Sequence, residues 1–332
     1  MMTIDVTSEQ HALRALAASA PEVATLESAD GGAWLSFAAA QLPERLARAL
    51  ERFSREAAGE GALLVKGLPV DPDLPPTPSS RSGPRYVNPT AAALTGACAT
   101  AFGEIFGYAQ LDGGAVFRSV IPAAAEARAQ SSKSSDVALM LHTEQTFHPY
   151  RPRHLLLHCL RGAAGASTVV VSAEAVRRAL PPDDLERLAQ PVVVTGIDYA
   201  FGNRSTTKGN GCRLAVFGPD GVFSVDEDLM VADDEQTTNA LQRLWRVMAE
   251  AAVSVCLEPG DLLIVDNHQA AHGRTRFEAR YDGTDRWLMQ VKTLPVLPPP
   301  GPDRVAGTRV ITTVDFGRPG GIDLTPDGRP GE

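Results

Sequence analysis

From about residue 138 onward the chain breaks into short β-branched or leucine-rich runs, and this succession constrains the fold more than any other feature. The runs lie at 137–141, 154–160, 168–171, 192–194, 213–217, 253–257, 262–265 and 287–293. Each has the length of one strand, and turn residues separate them, which predicts a sandwich or barrel. Helical patterns interrupt at 173–189 and 235–252; in the second, Leu241, Leu244, Trp245 and Met248 share a face suited to core packing.

The front of the chain reads differently. Residues 38–59 place Leu42, Leu46, Leu50 and Phe53 at helical spacing, and residues 62–67 form a short apolar run closed by glycine. A Pro/Ser-rich stretch at 69–84 is a surface connection, and Asn88-Pro89-Thr90 is a start signal for a helix extending to residue 106. Residues 201–211 are polar and glycine-rich, as expected of a mobile loop or lid. The expectation is one domain over 1–332: a helix-rich part at 1–107, a β core at 108–293 with helical insertions, and a Pro/Gly-rich tail at 294–332.

Bulk properties exclude several classes of function. A net charge of −9, spread without long runs of one sign, argues against nucleic acid and anionic membrane as partners. No run approaches a membrane span in length. The first twenty residues carry Asp5, Glu9, His11 and Arg14, which leaves no apolar core for a signal peptide. Cys98, Cys159, Cys212 and Cys256 show neither CxxC spacing nor scaffold density, and fit reduced thiols. A soluble, cytoplasmic protein is expected.

Chemistry concentrates at His142-Thr143-Glu144. Histidine and glutamate two apart in an extended segment project from one face. A third nitrogen ligand from a distant strand would complete a facial triad with open positions. HxE alone is a weak signal, because a lone strand histidine is more often structural; His154 and His158, in an apolar run, are read that way. The distal partner is His268 or His272, both in a short loop after the 262–265 strand, and spacing does not separate them. Downstream, residues 273–277 open a hairpin, Asp282-Gly283 closes one, and Arg286 heads the returning strand, where an arginine suits a carboxylate held bidentately.

The segments SSKSSDVALMLHTEQTFHPYRPRHLLLHCLRG and GDLLIVDNHQAAHGRTRFEARYDGTDRWLMQV resemble the clavaminate synthase-like group of Fe(II)/2-oxoglutarate-dependent oxygenases, which includes arginine and asparagine β-hydroxylases of peptide-antibiotic pathways. The resemblance covers roughly residues 100–293. It implies a double-stranded β-helix, or jelly roll, that is mainly β with helical additions. It implies Fe(II) on His142, Glu144 and His272, with 2-oxoglutarate and O2 as the other reactants. It places Arg286, fourteen residues after the distal histidine, and Thr168 on the distal carboxylate of 2-oxoglutarate. Related halogenases replace the carboxylate ligand with a small residue, so Glu144 favours hydroxylation, or desaturation or cyclisation, over halogenation.

Substrate residues follow less directly. By the same resemblance, Gln110, Asp112 and Ser132 match positions that hold the α-amino and carboxylate groups of an amino acid. Asp226 and Asp228 stand where arginine-hydroxylating relatives grip a guanidinium, though an acidic surface turn reads equally well. Relatives acting on free amino acids carry a second arginine four residues after the cofactor arginine; here that position is Gln290. Either another cation compensates, Arg118 or Arg276, or the substrate carboxylate is masked as an amide or a carrier-protein thioester. Two competing readings are a jelly-roll binding protein without turnover and a zinc hydrolase; Arg286 and Thr168 would lack a purpose in the latter.

Overall fold

Every residue of His154–Arg161 but the last is buried, as is every residue of Leu262–Asp266. Strands of that kind need cover on both faces. The computed structural model describes residues 1–56, 59–78, 86–201, 208–219 and 221–313, so most of the lid expected at 201–211 and the tail beyond 313 lie outside the described residues.

In chain order the strands are β1 (Met2–Asp5), β2 (Ala62–Lys66), β3 (Glu104–Tyr108), β4 (Arg118–Val120), β5 (Leu139–His142), β6 (His154–Arg161), β7 (Ser167–Ser172), β8 (Val193–Val194), β9 (Arg213–Leu214), β10 (Val231–Ala232), β11 (Val253–Cys256), β12 (Leu262–Asp266), β13 (Ala270–Arg274), β14 (Trp287–Leu294) and β15 (Val310–Ile311). The helices are α1 (Gln10–Ala18), α2 (Val23–Glu27), α3 (Gly31–Ala40), α4 (Glu44–Glu56), α5 (Pro89–Ala99), α6 (Ala173–Ala179), α7 (Pro182–Leu188) and α8 (Glu235–Ala251). The larger sheet runs β1-β2-β12-β6-β14-β3-β15, with β4 also paired to β14. Its β1–β2 and β15–β3 pairs are parallel and its other pairs antiparallel. The second sheet, β11-β7-β13-β5, is antiparallel throughout.

Period-two alternation sorts the strand residues into layers. Leu155, Leu157, Leu263, Val265 and Leu288 point between the sheets and meet Val170 and Ala270. Their neighbours Leu156, Leu160, Leu262, Ile264, Met289 and Val291 point outward and pack with Leu13, Leu46, Phe53 and Leu94 from the N-terminal helices. On the outer face of the second sheet, Val171 and Ala271 join Val176, Leu188, Leu244 and Met248 from α6–α8. The result is a jelly-roll core with helical additions, in which neither sheet closes on itself among the described residues. None of the described helices is long and apolar enough to cross a membrane.

Several expected boundaries shift, each for a local reason. The single helix expected at 38–59 is two, α3 and α4, because Pro43 cannot continue a helix. Pro181-Pro182 likewise divide the 173–189 pattern into α6 and α7. The helix started by Asn88, whose side chain caps the Ala91 N–H, ends at Ala99 rather than 106. After one tight turn, Gly103 takes φ 118°, where a Cβ would collide with the Leu294 carbonyl oxygen, and the chain leaves as β3. Only Arg213–Leu214 of the 213–217 run is strand. Residues 270–272, expected in a loop, belong to β13. In α4, Leu46 is fully buried against the N-terminal core. Leu46→Ala is therefore expected to cost about 2–5 kcal/mol of stability in urea unfolding; a loss under about 1 kcal/mol would mean that α4 docks loosely.

Candidate metal and substrate site

Antiparallel pairing of β13 with β5 sets His272 opposite His142, with ring centroids 4.4 Å apart. Glu144 follows just past the end of β5, and its backbone is clamped by Asn267: Oδ1 accepts its N–H at 2.6 Å and Nδ2 donates to its carbonyl at 3.0 Å. One carboxylate oxygen, Oε2, lies 3.6 Å from Nε2 of both histidines. One ligand atom from each of the three lies within 4.8 Å of the others. His142 Nδ1 donates to the Met140 carbonyl at 2.9 Å, which turns Nε2 toward Glu144, the nitrogen whose lone pair a metal would take in place of a proton. His268 stands apart, its Nδ1 accepting from Arg153. The geometry thus gathers His272, and not His268, with the HxE pair.

The donor set fits a divalent metal. Two imidazole nitrogens and one carboxylate oxygen converge on a common point, the arrangement that leaves positions open for other ligands. Glu144 is buried, yet the Lys292 ammonium and the His142 imidazole hold its carboxyl well below the usual range. Burial keeps His272 neutral, with its pKa pulled down to about 3. Burial also opposes charge on His142, but the Glu144 carboxylate overrides it and raises that pKa to about 9.

On one side of these groups, Arg286 at the head of β14 donates through Nη2 to the Thr168 hydroxyl at 3.1 Å. Both line the same cavity as the triad, of about 270 Å³. Arg286 is buried; burial lowers its pKa only to about 10, so it stays charged.

Strand alternation carries β14 onward. Arg286, Leu288 and Gln290 all line the cavity, and Lys292 continues the face. Arg118 on β4 donates through Nε to Asp112 at 2.6 Å and through Nη1 to Gln290 Oε1 at 2.8 Å. Lys292 donates to the same Gln290 oxygen at 2.6 Å. Position 290 therefore works as an acceptor between two cations, and an arginine there would be a third positive charge. Of the two arginines expected to compensate, Arg118 lines the cavity and Arg276 is exposed.

Gln110, Asp112, Ser132, Asp226 and Asp228 line the cavity as well, so the substrate residues expected from the sequence share one space. Asp226 is half-buried and opens a turn at the cavity wall. It bridges to His142 through the backbone, its Oδ1 accepts from the Asp228 and Leu229 amides, and burial raises its pKa to about 6. Gln110 donates to the Thr313 carbonyl through Nε2, while its Oε1 is buried without a partner among the described residues, as is Gln145 Oε1.

Five residues at the site went unread in the sequence: Asn267, Lys292, Gln145, Asp198 and Arg274. Asp198 and Gln145 line the cavity. Arg274 does too, tied to Ser134 Oγ and the Val137 carbonyl. Only Lys292 had a usable signal, a lysine two places beyond Gln290 in an otherwise apolar strand.

Comparison with known proteins agrees with this geometry. A family model described as taurine catabolism dioxygenase TauD, TfdA family, matches residues 28–292. Clavaminate synthase 2 of Streptomyces clavuligerus is 36% identical over 304 residues, 87% of this chain and 90% of that protein. An L-lysine 3-hydroxylase of Catenulispora acidiphila is 36% identical over 265 residues, 76% of this chain and 72% of that protein. Among solved structures, an asparagine oxygenase in complex with Fe(II), 3-hydroxyasparagine and succinate superposes with a TM-score of 0.83 at 28% identity, covering 94% of this chain and 99% of that one.

Proposed function

The chain belongs to the TauD/TfdA dioxygenase family, and as an Fe(II)- and 2-oxoglutarate-dependent oxygenase we propose that it hydroxylates the side chain of a free, cationic α-amino acid. The observation that carries this reading is a single cavity with the triad in its wall, Arg118 at one part of the lining and Asp226 and Asp228 at another. When bound, iron and 2-oxoglutarate supply the oxidising power that puts one atom of O2 into an unactivated C–H bond. The protein's own residues bind and orient.

In this reading His142, Glu144 and His272 hold the iron through Nε2, Oε2 and Nε2. Arg286 and Thr168 take the distal carboxylate of 2-oxoglutarate. Arg118, whose Nε and Nη1 are spent on Asp112 and Gln290, presents the rest of its guanidinium to the substrate carboxylate. The buried Gln110 and Gln145 oxygens accept from the α-ammonium, which satisfies two orphaned acceptors. Asp226 and Asp228 take the side-chain cation, with Ser132 on the same lining. The position of the chain between these anchors selects the carbon that reacts. Among the relatives, the L-lysine 3-hydroxylase and an L-ornithine/L-arginine 3-hydroxylase, 31% identical, are named for cationic amino acids.

Gln290 favours a second reading, in which the carboxyl group is masked as an amide or held by a carrier protein. Arg118 in the same lining favours the free acid. The test is incubation of the purified protein with Fe(II), 2-oxoglutarate and air against lysine, ornithine, arginine, asparagine and their amides. Succinate release and mass spectrometry are the readouts; gain of one oxygen marks hydroxylation, and loss of two hydrogens marks desaturation or ring closure. Coupled turnover of a cationic free acid is expected. Turnover confined to neutral amino acids would remove the roles of Asp226 and Asp228, and turnover confined to amides would establish the masked substrate. Asp226→Ala is expected to raise KM for the cationic substrate by about 10- to 100-fold, the worth of one charged hydrogen bond. An unchanged KM would place the cation elsewhere.

A further inference from the structure

The two oxygens of Glu144 have different partners. Oε2 faces both histidines at 3.6 Å, whereas Oε1 lies 3.3 Å from the Lys292 ammonium. Lys292 is 3% exposed, and lysine is almost never so buried without paired neighbours. Its Nζ also donates to Gln290 Oε1 at 2.6 Å, a second anchor for the ammonium, and it sits 6.0 Å from the centre of the Tyr108 ring. Lys292 does not line the cavity that Gln290 and Glu144 line. Its contacts among the described residues are with Glu144, Gln290 and Tyr108. Asn267 fixes the other end of the same residue, holding both backbone polar groups of Glu144.

We propose that Lys292 is a positioning residue that reserves Oε1 of Glu144, so that a bound metal receives one carboxylate oxygen and not two. A carboxylate is free to ligate with one oxygen or with both, and the second mode takes up a further position. 2-Oxoglutarate needs two positions and O2 one, so a glutamate that chelates competes with the cofactor for room. The ion pair removes that competition before any ligand arrives, which is how outer groups generally orient metal ligands. This rests on the metal-centre reading above.

The test uses the full-length protein and two neutral or conservative variants, Lys292→Met and Lys292→Arg, with binding as the readout. Affinity for Mn(II) alone is measured anaerobically, then affinity of the Mn(II)-loaded protein for 2-oxoglutarate. Lys292→Met is expected to bind Mn(II) at least as well as the unaltered chain and to bind 2-oxoglutarate at least about tenfold more weakly. Lys292→Arg is expected to recover most of the loss. Equal 2-oxoglutarate affinity in Lys292→Met and the unaltered chain overturns the proposal. Should Lys292→Met not fold, a crystal structure of the unaltered protein with Mn(II) decides: Oε2 alone on the metal with Oε1 still on Lys292 supports it, and a chelating Glu144 overturns it. Failure of the unaltered protein to bind either Mn(II) or 2-oxoglutarate would instead sink the metal-centre reading itself.

Discussion

Changing His142 to alanine is expected to bring turnover of every amino acid to background while the circular dichroism spectrum stays that of the unaltered chain. Loss of an outer partner of a metal ligand typically costs 10- to 100-fold in affinity, so loss of a direct ligand should weaken Fe(II) binding by more than about 100-fold. The fold should tolerate the change, because His142 ends β5 and its imidazole meets only the Met140 carbonyl of its own strand and the site residues Glu144 and His272 among the described residues. Removing it also leaves Glu144 paired with Lys292. Glu144→Ala should abolish turnover equally, but with a larger stability penalty. It strands a buried ammonium, and breaking a buried ion pair from one side costs about 3–5 kcal/mol when the remaining charge persists. Burial already draws the Lys292 pKa down to about 8, against the pull of Glu144, so the lysine sheds its proton and the cost falls short of that range. Isothermal titration with Fe(II) and a thermal melt separate the two variants. Full activity in either one would remove that residue from the metal.

What could be read from the sequence follows from which forces are local. The alternation in β6, β12 and β14 is local, and a run such as Leu155-Leu156-Leu157 announces a strand covered on both sides. Helix breaks are local too: Pro43 and Pro181 end helices inside apolar periodicities that run on past them. The register that sets His272 opposite His142 is not local, since it comes from β13 pairing with β7 and β5 across more than a hundred residues. A loop was the reasonable expectation for Ala270-Ala271-His272, because alanine has little strand preference and the pairing that makes it a strand is invisible in one dimension. Lys292 shows the same limit in sharper form. Its position two beyond Gln290 places it on the same face of β14 as Gln290, but only the fold says that Glu144 stands beside it. Gln290 read in isolation hinted at a missing charge; in the structure it is the acceptor that two cations share.

Arg286→Ala carries the second large expected effect, this time on the cofactor and not on the metal. The guanidinium is buried, meets the Thr168 hydroxyl and lines the cavity beside the triad, with no carboxylate of the protein within ion-pair distance among the described residues. A buried cation without a protein counter-ion is costly, and an anionic ligand relieves that cost. Truncating one partner of a buried charged pair costs about 2–5 kcal/mol, so KM for 2-oxoglutarate should rise roughly 30-fold to several thousand-fold. Fe(II) affinity measured without 2-oxoglutarate should stay as it was, because a protonated guanidinium has no lone pair to offer a metal. Arg286→Lys keeps the charge but loses the planar fork, and is expected to recover only part of the loss. Oxygen consumption against 2-oxoglutarate concentration, at saturating iron and substrate, gives the measurement. An unchanged KM would take the cofactor carboxylate away from Arg286, and Arg274, a further buried arginine of this lining, would be the next place to look.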